Sequence, residues 1–148
     1  MNPTIEKFGY PTTLLREFDH WVVLVRPAQV TLGSLVLAAK GDATAYSALP
    51  REAFAEQADA ICAIEHVLAR FTRYERINYL MLMMVDPHVH LHVIPRYSTT
   101  RSWHGMEFAD AGWPGPPRLD AAVKLGPDQL SHFTAELLPG FQSTTTRI

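Results

Sequence analysis

His88-Val89-His90-Leu91-His92-Val93-Ile94-Pro95-Arg96 is the stretch on which the reading of this chain turns. Imidazoles alternate with aliphatic side chains, and alternate residues of a β-strand point to the same face. A strand here sets all three histidines on one side, with successive Cα atoms about 6.5–7 Å apart. Val89, Leu91 and Val93 then face the other way, into a core. Three adjacent imidazoles repel one another when all are protonated, so at least one is expected to be neutral near pH 7.

Working outward, residues 77–85 read as a preceding strand and Asp86-Pro87 as the turn of a tight hairpin, because proline fixes its own φ and keeps Asp86 out of the helical region. Residues 88–94 form the second strand, and Pro95 ends it. Residues 77–85 are apolar on both faces, which predicts a central strand under a helix. Further upstream, residues 13–18, 21–25 and 34–38 are short and rich in β-branched, aromatic or aliphatic side chains, which predicts three more strands. Their links are too short for a parallel crossover, so the sheet is expected to be antiparallel.

A helix is expected from Pro50, since proline suits a first helical turn. Its apolar stripe is Phe54, Ala58, Ile61, Ile64, Leu68 and Phe71, at steps of three and four. Cys62 then reads as a small buried residue inside the helix, and His66 as a solvated one. After residue 98 the pattern weakens, and Trp103, Phe108 and Trp113 mark an irregular covering segment. A short helix starts at Pro127-Asp128, buries Leu130, Phe133, Leu137 and Leu138, and stops at Pro139-Gly140. Residues from Gln142 onward read as a frayed tail. The expected fold is α+β: an antiparallel meander of about five strands, one long helix packed on it and a short C-terminal helix. A single domain spans residues 1–148, with its core in residues 10–100 and the covering segment and short helix in 101–148.

The bulk composition limits the function classes. Hydrophobic residues make up 47% and charged residues 19% of 148 residues, as in ordinary globular domains. The net charge of -2 offers no basic excess for strong nucleic-acid binding. The one cysteine excludes an intramolecular disulfide. The N-terminal residues lack the basic-then-apolar pattern of a signal peptide. The clearest apolar run, residues 79–85, is far too short to span a bilayer. A cytoplasmic protein without membrane association is expected.

Three chemistries compete for the histidine strand. It could be a solvent-facing side that happens to carry imidazoles. It could be a metal site, since two histidines at i and i+2 can share one ion, but the third spans too far for easy closure and Asp86 is the only local carboxylate. Or it could be a nucleophilic centre, where a neutral imidazole attacks phosphorus and flanking donors steady the charge.

The pattern His88, Val89, His90, Leu91, His92, Val93, Ile94, followed by Pro95-Arg96, resembles the motif of the histidine-triad (HIT) family of nucleotide hydrolases and transferases. The resemblance covers residues 10–100 in element order, and residues 76–97 are similar to a bacterial HIT-like branch. It implies a homodimeric fold with the two sheets joined. It implies that His90 attacks an α-phosphate and forms a nucleotidyl-histidine, that His92 donates to a phosphate oxygen, and that His88 sets the tautomer of the nucleophile, by way of a backbone carbonyl. The bond broken would be a phosphoanhydride or phosphoramidate of a purine nucleotide or nucleotide conjugate. No cofactor is required, although a divalent ion could accompany a polyphosphate.

Asn78 resembles an asparagine that the family sets near the phosphates. Two features depart from the family pattern. Met84-Val85-Asp86-Pro87 stands where Gln with Ser or Thr donors is usual, and Val25-Arg26 stands where a ribose-binding acid is usual. Arg26, Arg96 or Arg101 could supply phosphate contacts instead, and Trp103 could stack on a base. These departures keep open a nucleotide-binding module with little catalysis.

Overall fold

The computed structural model describes residues 1–142; the expected tail, apart from Gln142, lies outside the described residues. Nine strands and three α-helices run in the order α1 (Pro3–Lys7), β1 (Leu14–Glu17), β2 (Trp21–Val25), β3 (Ala28–Gln29), β4 (Leu35–Ala39), α2 (Arg51–Thr72), β5 (Arg76–Leu80), β6 (His90–Arg96), β7 (Arg101–Trp103), β8 (Met106–Phe108), β9 (Val123–Lys124) and α3 (Pro127–Gln142). Five strands form one antiparallel sheet in the order β1-β2-β4-β6-β5. β3 pairs with β9, and β7 with β8. The α+β class, the five-stranded antiparallel sheet, the long helix and the C-terminal helix are those expected from the sequence.

The histidine hairpin differs from expectation in four ways. The ladder pairs Arg76 with Arg96 and Leu80 with His92, so eleven residues lie between the paired ends rather than a two-residue turn. Residues 81–89 are irregular, with Met84 86% and Val85 82% exposed. β5 is an edge strand of intermediate burial and β6 is the inner one, fully buried along its length. Two-sided hydrophobicity therefore belongs to a loop that projects, not to a central strand. Pro95 sits inside β6 opposite Ile77.

Both faces of the sheet are covered. On one, Trp21, Val23, Val25, Leu35, Leu37, Val89, Leu91 and Val93 pack against α2 and α3. Aliphatic burial of this kind stabilises by about 25 cal/mol per Å² of apolar surface. α2 meets the sheet through Ala53, Gln57, Ala60, Ala63, Ile64, Val67 and Leu68. That stripe is rotated from the expected one: Phe54 and Ala58 are exposed, and Phe54 packs on Tyr46 instead. Alanines allow close approach, and the Trp21 indole N–H donates to the Ala53 carbonyl at 2.7 Å, fixing which side faces inward. The same rotation leaves Cys62 exposed rather than buried, and His66 is exposed as expected. The approach is so tight behind β4 that a Cβ on Gly33, at φ +96°, would lie 2.6 Å from Thr72 Cγ2.

α3 continues through Pro139 and Gly140. Proline in a helix forfeits a backbone hydrogen bond, but the last turn carries Phe141, which is fully buried, and Gly140 lies directly on Val67. Packing of that turn overrides the local stop signal. The covering segment is less irregular than expected, since Trp103 and Phe108 belong to the β7–β8 hairpin and are buried. No helix among the described residues is long and apolar enough to cross a membrane.

The opposite face of the sheet carries a smaller apolar cluster, Val22, Leu24, Val36 and Ala38, closed by Ile5 with Phe8, Tyr10 and Leu14 against it. The N-terminal segment thus lies on the face that bears the histidines. Asn2 anchors it: its Oδ1 caps α1 at the Ile5 N–H, and its Nδ2 donates to the carbonyls of Ala39 and Gly41.

Candidate functional site

β6 places His90 opposite Ala38, and His92 between Val36 of β4 and Leu80 of β5. The two rings share the face away from α2, with centroids 5.0 Å apart in an edge-on arrangement. His88 precedes the strand; its contribution comes through its backbone carbonyl and a separate ring contact.

The hydrogen bonds define the proton positions. A carbonyl can only accept, so the 2.7 Å contact between His90 Nδ1 and the His88 carbonyl puts the His90 proton on Nδ1. Nε2 of neutral His90 then carries the lone pair. Arg26 Nε–H can only donate, and it reaches His92 Nδ1 at 3.2 Å. His92 therefore holds its proton on Nε2. Burial lowers the His92 pKa to about 4, helped by the Arg26 cation and by His90 and opposed by Asp86. At neutral pH the ring is uncharged and acts as a hydrogen-bond donor. Burial also lowers the Arg26 pKa; the side chain is held by Nη1 donating to the Ala28 carbonyl at 2.6 Å.

Both rings border a cavity of about 350 Å³ whose other walls include Lys7, Phe8, Arg26, Asp86 and the apolar residues 82–85. Larger hollows exist, such as one of about 540 Å³ between α2 and α3, but this one brings together the His90 Nε2 lone pair, a neutral donor and two cationic side chains. Phe8 lies against both rings, tilted to His90 with centroids 5.6 Å apart and edge-on to His92 at 5.9 Å. Lys7 Nζ reaches both oxygens of Asp86, at 2.9 and 3.2 Å. Thr4 Oγ1 hydrogen-bonds the His88 ring at Nδ1, at 2.9 Å.

The structure brings His90, His92 and Arg26 together and puts three other candidates elsewhere. Arg96 spends its guanidinium on structure: Nε and Nη2 bind Asp110 at 2.7 and 3.0 Å, Nη1 binds Asn78 Oδ1 at 2.7 Å, and Nη2 also reaches the Gly115 carbonyl. Neither Arg96 nor Asn78 borders the histidine cavity. Three residues of strand, Val93, Ile94 and Pro95, separate Arg96 from His92. Trp103 packs on Phe133, with centroids 5.0 Å apart, and its indole donates to Glu136. It lies in the α3 layer, across the sheet from the histidines. Arg101, the remaining arginine considered for phosphate, binds the carbonyls of Thr72, Thr99 and Arg73.

Sequence reasoning missed Thr4, Lys7 and Phe8. A signal was available: Asn2-Pro3 is a capping residue followed by proline at a first helical position, which announces an ordered segment. Nothing local says that it crosses to the histidines. Among the described residues, no three of His, Cys, Asp and Glu are placed to share a metal ion.

Comparison with known proteins bears on the fold. No family model matches the sequence, and neither does any curated protein. Solved structures do match. A histidine triad protein from Sinorhizobium meliloti 1021 superposes with a TM-score of 0.69 at 19% identity, covering 95% of each chain. One from Marinobacter aquaeolei VT8 gives 0.66 at 21% identity over 93% of each chain. The fold is that of the histidine triad proteins. A third neighbour, a hypothetical histidine triad nucleotide-binding protein from Sulfolobus tokodaii strain 7, gives 0.65 at 15% identity over 94% of this chain and 89% of its own. The histidine triad fold extends over almost the whole chain in these comparisons, beyond the 10–100 stretch on which the sequence resemblance rested.

Proposed function

We propose that the chain is a nucleotidyl hydrolase or transferase in which His90 Nε2 attacks the α-phosphorus of a purine nucleotide or nucleotide conjugate. The observation that carries this is the His90 Nδ1–H donation to the His88 carbonyl, which leaves a lone pair on the ring nitrogen that can attack. In the first step the N–P bond forms and the bond from phosphorus to the leaving group breaks. The positive charge on the imidazole is spread toward Nδ1–H and its carbonyl partner. His92 Nε2–H donates a hydrogen bond to a phosphoryl oxygen and does not give up its proton, since its other nitrogen accepts from Arg26. In the second step water, or another acceptor, attacks phosphorus, the N–P bond breaks, and a proton passes to solvent as the nucleoside monophosphate leaves.

This balance suits a phosphoanhydride, whose phosphate leaves as an anion; a phosphoramidate nitrogen has to take its proton from elsewhere. Arg26 offers the α-phosphate a guanidinium on the side where the family has an acid. The nucleotide-binding description of the Sulfolobus neighbour supports the same class of ligand. The proposal includes a homodimer in the cytoplasm and needs no cofactor, with a divalent ion accompanying any polyphosphate.

The test is release of AMP from diadenosine polyphosphates and from adenosine phosphoramidate, with intact-mass detection of an adenylylated chain. His90→Ala is expected to lose about a thousandfold or more in kcat and to form no adduct. Wild-type turnover in that variant rejects the mechanism. AMP binding by calorimetry without turnover in the unaltered chain moves the reading to a binding module.

A further inference from the structure

An attacking nitrogen has to come within about 3–3.5 Å of phosphorus, yet His90 is only 2% exposed and His92 7%. The cavity therefore meets only a small part of each ring, and close approach of a phosphate is eased by moving what covers the rest. The covering group nearest both rings is Phe8.

The N-terminal segment is held in two unlike ways. Its start is built in: Ile5 is fully buried and Asn2 makes three internal hydrogen bonds. At its end the Phe8 backbone is pinned, its carbonyl accepting from Thr13 Oγ1 at 2.8 Å, whereas the Lys7 side chain is 54% exposed and held by an ion pair to Asp86, and exposed pairs contribute little to stability. Asp86 is the one carboxylate that borders the cavity, and Lys7 is its partner. Entering phosphate therefore meets Arg26 and, one contact away, an ammonium whose present bond is weak. Ammonium-to-phosphate hydrogen bonds are charge-assisted and among the stronger ones.

We propose that Lys7 and Phe8 form a substrate-operated gate: the phosphate takes the Lys7 ammonium from Asp86, and the Phe8 ring swings off the two imidazoles. Lys7 is then both latch in the free protein and phosphate ligand in the complex. The second role rests on the nucleotide reading above; the first does not.

Two measurements on the full chain separate them. Diethyl pyrocarbonate acylates unprotonated imidazole, and tandem mass spectrometry locates the label. With the exposed His104 as internal reference, Asp86→Asn is expected to speed labelling of His90 by about two- to fivefold, in keeping with a weak surface pair, and Phe8→Ala by more. Unchanged His90 labelling in both variants overturns the gate. In calorimetry with AMP, Lys7→Met is expected to weaken binding by about three- to tenfold, whereas Asp86→Asn, which frees the ammonium, tightens it. A merely structural pair would shift both variants in the same direction, and that result overturns the role of Lys7. If AMP does not bind the unaltered chain, the nucleotide reading falls and the ligand role of Lys7 with it; the labelling still decides the gate.

Discussion

The two ends of β6 carry charge in opposite ways. At one end Arg96 and Asp110 form a bidentate pair with side chains 5% and 1% exposed, and Asn78 and the Gly115 carbonyl absorb the remaining donors. At the other, Arg26 spends one N–H on a backbone carbonyl and one on a neutral imidazole, and among the described residues no carboxylate opposes it in hydrogen-bond contact. A guanidinium matched by a carboxylate ties a covering segment to the sheet. A guanidinium without one beside a cavity raises the affinity of that cavity for anions. Two arginines that look alike in the sequence thus do different work because of what the tertiary fold brings to each.

Perturbing the Arg96 end should give the largest loss of stability. Asp110→Ala leaves a buried guanidinium without its counter-charge, and such removals cost about 3–5 kcal/mol. Chemical denaturation measures it. A loss near zero would mean that Arg96 is free to serve a ligand, and the contrast between the two ends would collapse.

Perturbing the other end should affect chemistry more than folding. Arg26→Met removes the donor that fixes the His92 tautomer and the nearest cation, so turnover should fall about 10- to 100-fold. That is the loss of an orienting or electrostatic partner rather than of the nucleophile. The same change should raise the His92 pKa from about 4 toward its ordinary value, measurable by NMR titration.

The sign for stability follows. A histidine whose pKa is lowered by folding binds fewer protons folded than unfolded, so it stabilises the fold above about pH 6.5 and that stability is lost as pH falls through about 4. Denaturation midpoints should decline over this window in the parent and decline less in Arg26→Met. An identical pH slope in the two would show that burial alone, the largest cause of the shift, sets the His92 pKa.

The smallest effect is expected at Trp103→Phe. It keeps the aromatic contact with Phe133 and loses the indole bond to Glu136, a change of about 1 kcal/mol. Nucleotide binding by calorimetry should be unchanged. A weakened affinity would return Trp103 to the site.

Much of this molecule was legible residue by residue. The strands at residues 13–18, 21–25 and 34–38 and the helix from Pro50 follow from local pattern, and each appears within a residue or two. The errors share one cause. The exposed loop at residues 81–86 looked like a central strand because apolar content does not say whether a segment is buried. The inward face of α2 was misjudged because Ala53, Ala60 and Ala63 are weak hydrophobic signals yet permit the closest approach to the sheet. Pro139 looked like a stop because the anchoring of Phe141 is a long-range fact.

The sequence by itself determined the alternation that sets His90 and His92 on one face and Val89, Leu91 and Val93 on the other, since strand periodicity is a local property of the backbone. The bond from His90 to the His88 carbonyl came to the sequence reading only as what the resemblance implies. Only the tertiary structure decided which proton His92 carries, which arginine is free for an anion, and that residues 4–8 lie over the rings. Those outcomes depend on contacts between residues 14 to 84 positions apart in the chain, and no local pattern of residues encodes which distant groups will be brought within hydrogen-bond distance.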